Sequence, residues 1–239
     1  MTAPALLAVA HGTRNPAGPE TVRALLDRVR VLRPGLEVTE AYAEIAGPLL
    51  EDAMAAVDGP VIAVPLMLAR GYHALVDIPG RLRPAAAGGR GHAVPARPLG
   101  PHSLLGAALV DRLATGRSAD AVVLGAAGSS DPAGVSDVRV AARLLARRLG
   151  RPVPYGFVAA GEPSLAEVVG ELRARGARHV AVASYLLAPG LFHDRMRAAG
   201  ADHVSGPIGA HDAAARLILR RYDEALVHAR LGRRAAVAG

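Results

Sequence analysis

Apolar positions along the chain follow two rhythms in turn. Residues 5–9 form an unbroken apolar run that ends in a glycine-containing loop, and residues 61–66 form another. Between them Val22, Leu25, Leu26, Val29 and Leu32 recur at the spacing of one helix face. Pro34-Gly35 ends that helix and residues 36–42 read as a strand. Pro48 is expected to open a second helix, with Leu50, Ala53, Met54 and Val57 on one side. The same order returns later. Residues 121–124, 153–158 and 179–184 read as strands. Val138, Ala142, Leu145 and Leu149, then Leu165, Val168, Val169 and Leu172, mark the helices between them. Strands that are apolar throughout and alternate with helices predict a parallel sheet covered on both faces.

The repetition extends into the loops. His11-Gly12-Thr13-Arg14-Asn15-Pro16-Ala17-Gly18 is matched by Ala127-Gly128-Ser129-Ser130-Asp131-Pro132-Ala133-Gly134. Leu68-Ala69-Arg70-Gly71 is matched by Leu187-Ala188-Pro189-Gly190, and Pro98-Leu99-Gly100-Pro101-His102 by Pro207-Ile208-Gly209-Ala210-His211. The order is kept and the offset drifts by a few residues, so the chain reads as two units of about 115 residues each. The expected domains are 1–116 and 117–239. The expected fold class is α/β: two similar α/β domains with parallel sheets flanked by helices, and an active-site cleft between them. Sites in such sheets lie beyond the carboxyl ends of the strands. This puts the loops at His11, Glu44 and Gly71 to His73 on one rim.

Composition narrows the chemistry. Cysteine is absent, which excludes disulfides, thiolate metal sites, Fe–S clusters and thiol nucleophiles. Tryptophan is absent and aromatic residues are 3% of the chain, a poor basis for stacking single-stranded nucleic acid. The formal net charge is +7, and every one of the 28 basic residues is arginine. Abundant Arg and Ala read partly as coding bias. The arginines are dispersed rather than striped, so no nucleic-acid partner is expected. No apolar run reaches the roughly 20 residues of a membrane span. With no basic leader or lipidation signal, a cytoplasmic location is expected.

The two units differ where chemistry would sit. His11 is matched by Ala127, Glu44 by Ala159 and His73 by Phe192. The first unit therefore carries two imidazoles and a carboxylate that the second lacks, a donor set for a metal ion. A lone loop histidine or a helix-start glutamate is usually ordinary; three on one rim, all missing from the sister unit, point to a site. His102 and His211 are matched across the units and read as scaffold. His193 follows Gly190 by three residues rather than two and is a candidate to face the cleft from the second unit. His92, His179, His203 and His228 read as loop or strand-end residues. Ser129 and Ser130 have no nearby base, so a serine hydrolase is not expected. The glycine-rich stretch 87–91 reads as a flexible connector, and residues 233–239 as a frayed end.

The motifs resemble those of a known family. His11-Gly12-Thr13-Arg14-Asn15-Pro16 resembles the opening motif of the sirohydrochlorin chelatases, the class II cobalt and iron chelatases, with Thr13 where serine is usual. Glu44 shortly before Pro48 resembles their second motif. Pro65-Leu66-Met67-Leu68-Ala69-Arg70-Gly71-Tyr72-His73, followed by Asp77-Ile78-Pro79, resembles the third. A two-repeat form of the family has this length. The resemblance implies insertion of a divalent metal, Fe2+ first and Co2+ next, into sirohydrochlorin, toward sirohaem or cobalamin. The metal is then a co-substrate, bound by His11 and His73, with Glu44 acting beside them and no organic cofactor. Sirohydrochlorin is a polycarboxylate, which gives the arginine excess a purpose. Arg14 and Arg70, inside the motif loops, and His193 are the candidate substrate contacts, with Arg81 and Arg83 flanking the rim. One chain already holds both walls of a cleft, so a monomer is expected, with a dimer as the alternative. The competing function is a non-catalytic tetrapyrrole or metal carrier on the same scaffold.

Overall fold

The computed structural model describes residues 3–87 and 93–237. In the first unit β1 (Ala5–Ala10), α1 (Ala17–Leu32), β2 (Val38–Tyr42), α2 (Leu50–Ala56) and β3 (Val61–Pro65) follow in order. A π-helical turn, His73–Asp77, runs directly into α3 (Ile78–Ala87), and β4 (Ala93–Pro95) and α4 (Ser103–Leu113) complete the set. A short 3-10 turn, Ala114–Ser118, leads into the second unit. There β5 (Ala121–Ala126), α5 (Pro132–Leu149), β6 (Tyr155–Phe157), α6 (Leu165–Ala174), β7 (Val180–Tyr185), α7 (Leu191–Arg197), β8 (His203–Val204) and α8 (Asp212–Val237) repeat the pattern.

Each unit forms one four-stranded parallel sheet, ordered β2-β1-β3-β4 and β6-β5-β7-β8. Ala5 pairs with Val61 in one sheet and Ala121 with Val180 in the other. This register fixes which residues correspond between units. The central strands β1, β3 and β7 are buried along their whole length, as expected for sheets covered on both faces. Period-two alternation splits each strand between two cores. Leu6, Ala8 and Ala10 face a large core shared with α1, α4, α5 and α8. Ala5, Leu7 and Val9 face a smaller one closed by Leu50 and Ala53 of α2 and by Ile78 and Leu82 of α3. Val123 and Val182 of the second sheet likewise meet α6 and Met196 of α7.

Four helices thus lie between the sheets, and two are exchanged. α4, which ends the first unit in sequence, packs on β7 of the second sheet, while α8 packs on β3 of the first. α1 lies against α8, and α4 against both α5 and α8. The two units share one interior rather than touching at a rim.

Local signals account for the element ends. Asp131 caps α5 by accepting the Ala133 N–H at 2.8 Å, with Pro132 in the first turn and left-handed Gly150 at the end. Ser164 and Glu167 form a capping box on α6. Pro48 does not open α2. Its carbonyl accepts the Tyr42 N–H at 2.9 Å and Leu49 bridges to Tyr42, so this stretch continues the sheet pairing and the helix begins at Leu50. Of the stretch 87–91, Ala87 ends α3 and the rest, with His92, lies outside the described residues; so does the Arg83 side chain. At the C-terminus α8 continues through 233–237 instead of fraying, and 238–239 lie outside the described residues. Among the described residues, no helix is long and apolar enough to cross a membrane.

Candidate metal centre

Parallel pairing of β1 with both β2 and β3 brings the carboxyl ends of three strands together. His11 follows β1, Glu44 follows β2, and His73 opens the π-helical turn after β3. Backbone bonds hold the first two in register: Ala43 N–H donates to the Ala10 carbonyl at 2.8 Å and Glu44 N–H to the His11 carbonyl at 3.0 Å. Gly12, at φ +103°, lies so close to the Glu44 carbonyl that a Cβ there would collide with it. Only glycine permits that approach. Directly after Glu44 the chain reverses in a γ-turn. Ala46 N–H donates to the Glu44 carbonyl at 2.7 Å around Ile45, whose φ is +70°. A β-branched residue in this conformation stores strain of about 1–3 kcal/mol.

The three side chains converge. His11 Nε2 lies 3.2 Å from Glu44 Oε1, and His73 Nε2 lies 3.9 Å from the same oxygen. The two imidazole rings meet edge to face with centroids 4.5 Å apart. One ligand atom from each residue falls within 4.8 Å of the others. Ligands at bond lengths of about 2.1 Å on a tetrahedral ion stand roughly 3.4 Å apart, so small side-chain adjustments suffice to close on a cation. The His11 and Glu44 side chains are each 48% exposed and that of His73 33%. Such a site leaves positions open for another ligand.

The histidine on the π-turn is oriented from behind. Asp77, one helical turn further on, lies 3.1 Å from His73 Nδ1. A carboxylate there takes the Nδ1–H and leaves the Nε2 lone pair for a metal. Arg81 holds that carboxylate in turn, at 3.6 Å, while donating to the Ala43 carbonyl at 2.7 Å and to both oxygens of Glu51 at 2.6 Å. Its hydrogen bonds hold the Glu51 carboxyl below the usual range, and Glu51 in turn raises the guanidinium. Arg81 therefore joins β2, α2 and α3 behind the triad.

Of the candidate residues, His11, Glu44 and His73 come together. Arg14 is exposed on the His11 loop and, among the described residues, has no ion-pair or side-chain hydrogen-bond partner. Arg70 and Arg81, in contrast, are engaged within the protein. Arg70 is held by Asp137 of α5, with contacts of 2.8 to 3.1 Å. His193 does not face the cleft. The two strand–helix joints align His73 with Phe192 and Ala74 with His193, and both residues of the second pair turn inward. His193 is buried with Nε2 at 3.0 Å from the Ser205 carbonyl. The sequence motif includes Asp77 without assigning it a role, and Ile45 went unmarked. The four-residue step from His73 to Asp77 is a same-face helical spacing and marks the first; nothing in residue type marks the second. Beside the triad Ile45, Tyr72, Leu75 and Val76 are exposed apolar residues, and Leu191 and Phe192 are exposed in the second unit. A Cβ on Gly190, which precedes them, would come into van der Waals contact with Thr13 and Asn15 of the His11 loop.

Known proteins resemble the chain in sequence and in fold. The chain is 32% identical over 120 residues to a sirohydrochlorin cobaltochelatase of Methanococcoides burtonii, covering 45% of this chain and 92% of that protein. It is 35% identical over 81 residues to the sirohydrochlorin cobaltochelatase of Methanosarcina acetivorans, covering 32% of this chain and 62% of that one. The match therefore spans less than two thirds of the second relative's length. In fold it is similar to SirB from Bacillus subtilis, solved with Fe3+, at a TM-score of 0.83 and 24% identity over 96% of this chain and 98% of that one. The CbiX profile matches residues 5–116 and again 121–225, nearly the whole sequence, and the chain belongs to the CbiX family.

Proposed function

We propose that this protein is a sirohydrochlorin chelatase, in which the first unit, 1–116, carries the single metal site and the second, 117–239, is a repeat without ligands. The observation that carries this reading is the open His11–Glu44–His73 triad at the strand ends. Insertion joins M2+ to the macrocycle and releases two pyrrole N–H protons. His11 and His73 present Nε2 lone pairs to the ion. Glu44, within reach of both imidazoles, receives protons and passes them to solvent. A three-donor, half-exposed site suits a metal that must leave for the ring; a closed tetrahedral site would retain it. Fe2+ is the favoured metal and Co2+ the next. Imidazole and carboxylate donors accept both, with affinities that follow the general divalent series. Arg14 is assigned to a substrate carboxylate; its exposure, with no ion-pair partner among the described residues, supports that reading.

The alternative, a carrier, binds metal and tetrapyrrole without turnover. Anaerobic sirohydrochlorin mixed with Fe2+ or Co2+ and substoichiometric protein separates the two. An enzyme converts the absorption spectrum with many turnovers; a carrier gives at most one equivalent. His11→Ala and His73→Ala are each expected to lower the insertion rate by at least a hundredfold, roughly the upper range for loss of a metal ligand's support. Wild-type rates in either variant would refute the assignment.

A further inference from the structure

A buried carboxylate of the second unit is committed to a loop of the first. Asp137, on α5, is 3% exposed. It accepts the Arg70 backbone N–H at 2.8 Å, Arg70 Nε at 2.9 and 3.1 Å, and Arg70 Nη2 at 2.8 Å. Two residues earlier, the Tyr185 hydroxyl at the end of β7 donates to the Leu68 carbonyl at 2.7 Å. Burial pushes the pKa of that hydroxyl well up, so it remains a donor. Close packing seals the same stretch. A Cβ on Gly134 would strike the Arg70 carbonyl, and one on Gly100 would strike the Leu68 carbonyl. Immediately beyond this clamp come Gly71, with open space around it, and then Tyr72 and His73. The Leu75 N–H donates to the Gly71 carbonyl at 3.0 Å in an α-type turn that leads into the π-turn, which the Ile78 N–H closes on the His73 carbonyl.

The clamp runs in one direction. By register and loop alignment the first-unit counterparts of Asp137 and Tyr185 are Thr21 and Leu66, and the counterpart of Arg70 is Pro189. The Thr21 hydroxyl donates to its own helix, at the Ala17 carbonyl, 2.6 Å away. The Leu66 side chain has no donor, and Pro189 has neither an N–H nor a charge. The second unit therefore braces the metal loop of the first, and the first does not return the contact. A metal donor has to be held to within about 0.5 Å, and a glycine joint next to His73 cannot supply that alone.

We propose that Asp137 and Tyr185 are positioning residues for His73, fixing the segment 68–70 so that His73 Nε2 stays within reach of Glu44 and His11. This rests on reading the triad as the metal site. The test uses Co2+ alone, followed by its visible absorption, together with steady-state chelation kinetics. Asp137→Asn is expected to weaken Co2+ binding and lower kcat about tenfold, the low end for residues that orient a ligand from behind, with less change in KM. Tyr185→Phe acts in the same direction and less strongly; it deletes one hydroxyl and decides the matter if Asp137→Asn does not fold. Val169→Ala, in the outer core of the second sheet, is the control: it lowers Tm but leaves Co2+ affinity and kcat unchanged. Wild-type Co2+ affinity and kcat in folded clamp variants would overturn the proposal, as would an equal loss in the control. If instead His73→Ala binds Co2+ like the wild type, the reading of the metal site fails, which is a separate result.

Discussion

The rims of the two sheets were built to one plan and put to different uses. In the first, Ala43 N–H donates to the Ala10 carbonyl and Glu44 N–H to that of His11; in the second, Val158 N–H donates to Ala126 and Ala159 N–H to Ala127. Tyr42 bridges to Leu49, and Phe157 to Ser164, in the same way. Gly12 and Gly128 both take positive φ where each loop meets its neighbour. Onto this shared frame the first unit places His11, Glu44, His73 and Asp77; the second has Ala127, Ala159, Phe192 and Met196 at those positions. The frame persists in the second unit without those four side chains, so it rests on strand burial and loop hydrogen bonds. The second unit has put its freedom into support, through Asp137 and Tyr185.

The sharpest contrast behind the triad is Asp77 against Met196. Met196 is fully buried and only packs, whereas Asp77 holds His73 Nδ1. Asp77→Asn keeps the shape and removes the charge that favours the Nε2 donor form. Its chelation rate is expected to fall ten- to a hundredfold, roughly the usual span for such partners, while Tm changes little. An unchanged kcat would show that the π-turn alone orients His73 and would remove Asp77 from the comparison.

A smaller difference lies in the backbone. The first unit places its positive φ on Ile45, next to Glu44, whereas the second places it on Gly161. Ile45→Gly is expected to raise stability by up to about 1 kcal/mol, since relief of strain exceeds the added freedom of the unfolded chain. It is also expected to slow chelation several-fold, because the γ-turn that aims Glu44 loosens. Ile45→Ala, which keeps the strain but trims the side chain, separates aim from apolar contact. Should Ile45→Gly gain stability with full activity, the turn carries strain for no purpose in this reaction.

Much of this was readable in the sequence because duplication supplies its own comparison. The β1, β3 and β5 runs are apolar on both faces and β7 nearly so, its one buried hydroxyl at Ser184, so length and composition alone marked them. The triad was found by asking which rim residues the sister unit lacks. What escaped is what pattern does not encode. α4 and α8 are amphipathic in either unit, and no periodicity says that they cross to the other sheet. Arg70 sat in a motif loop and read as a substrate contact; only the fold brings Asp137, 67 residues away, beneath it. His193 differed from His73 by one residue of helical phase, enough to turn it from the cleft into the interior. The strain at Ile45 has no signature, since isoleucine is the residue least expected there.

The matched caps His102 and His211 give the finest test of the comparison. Each imidazole accepts a backbone N–H through Nδ1, Leu104 at 3.1 Å for α4 and Ala213 at 3.0 Å for α8. Their surroundings differ. His211 Nε2 faces Asp111 at 3.1 Å. His102 lies among Arg221, Arg220 and Arg97, with Glu224 opposing them; burial first, and then Arg221, lower its pKa below the usual value near 6.5. Between its folded pKa and that ordinary value the unfolded chain binds more protons than the folded one. His102 therefore imposes no penalty above about pH 6.5, and the protein loses stability through it as pH falls below that point. Asn in its place still caps the helix and does not titrate. Measured as Tm across pH 7.5 to 5, His102→Asn should start level with or slightly below the wild type and gain on it toward acid. Parallel curves would mean that the protonated ring finds a partner when α4 loosens, and that the two caps differ in neighbours but not in consequence.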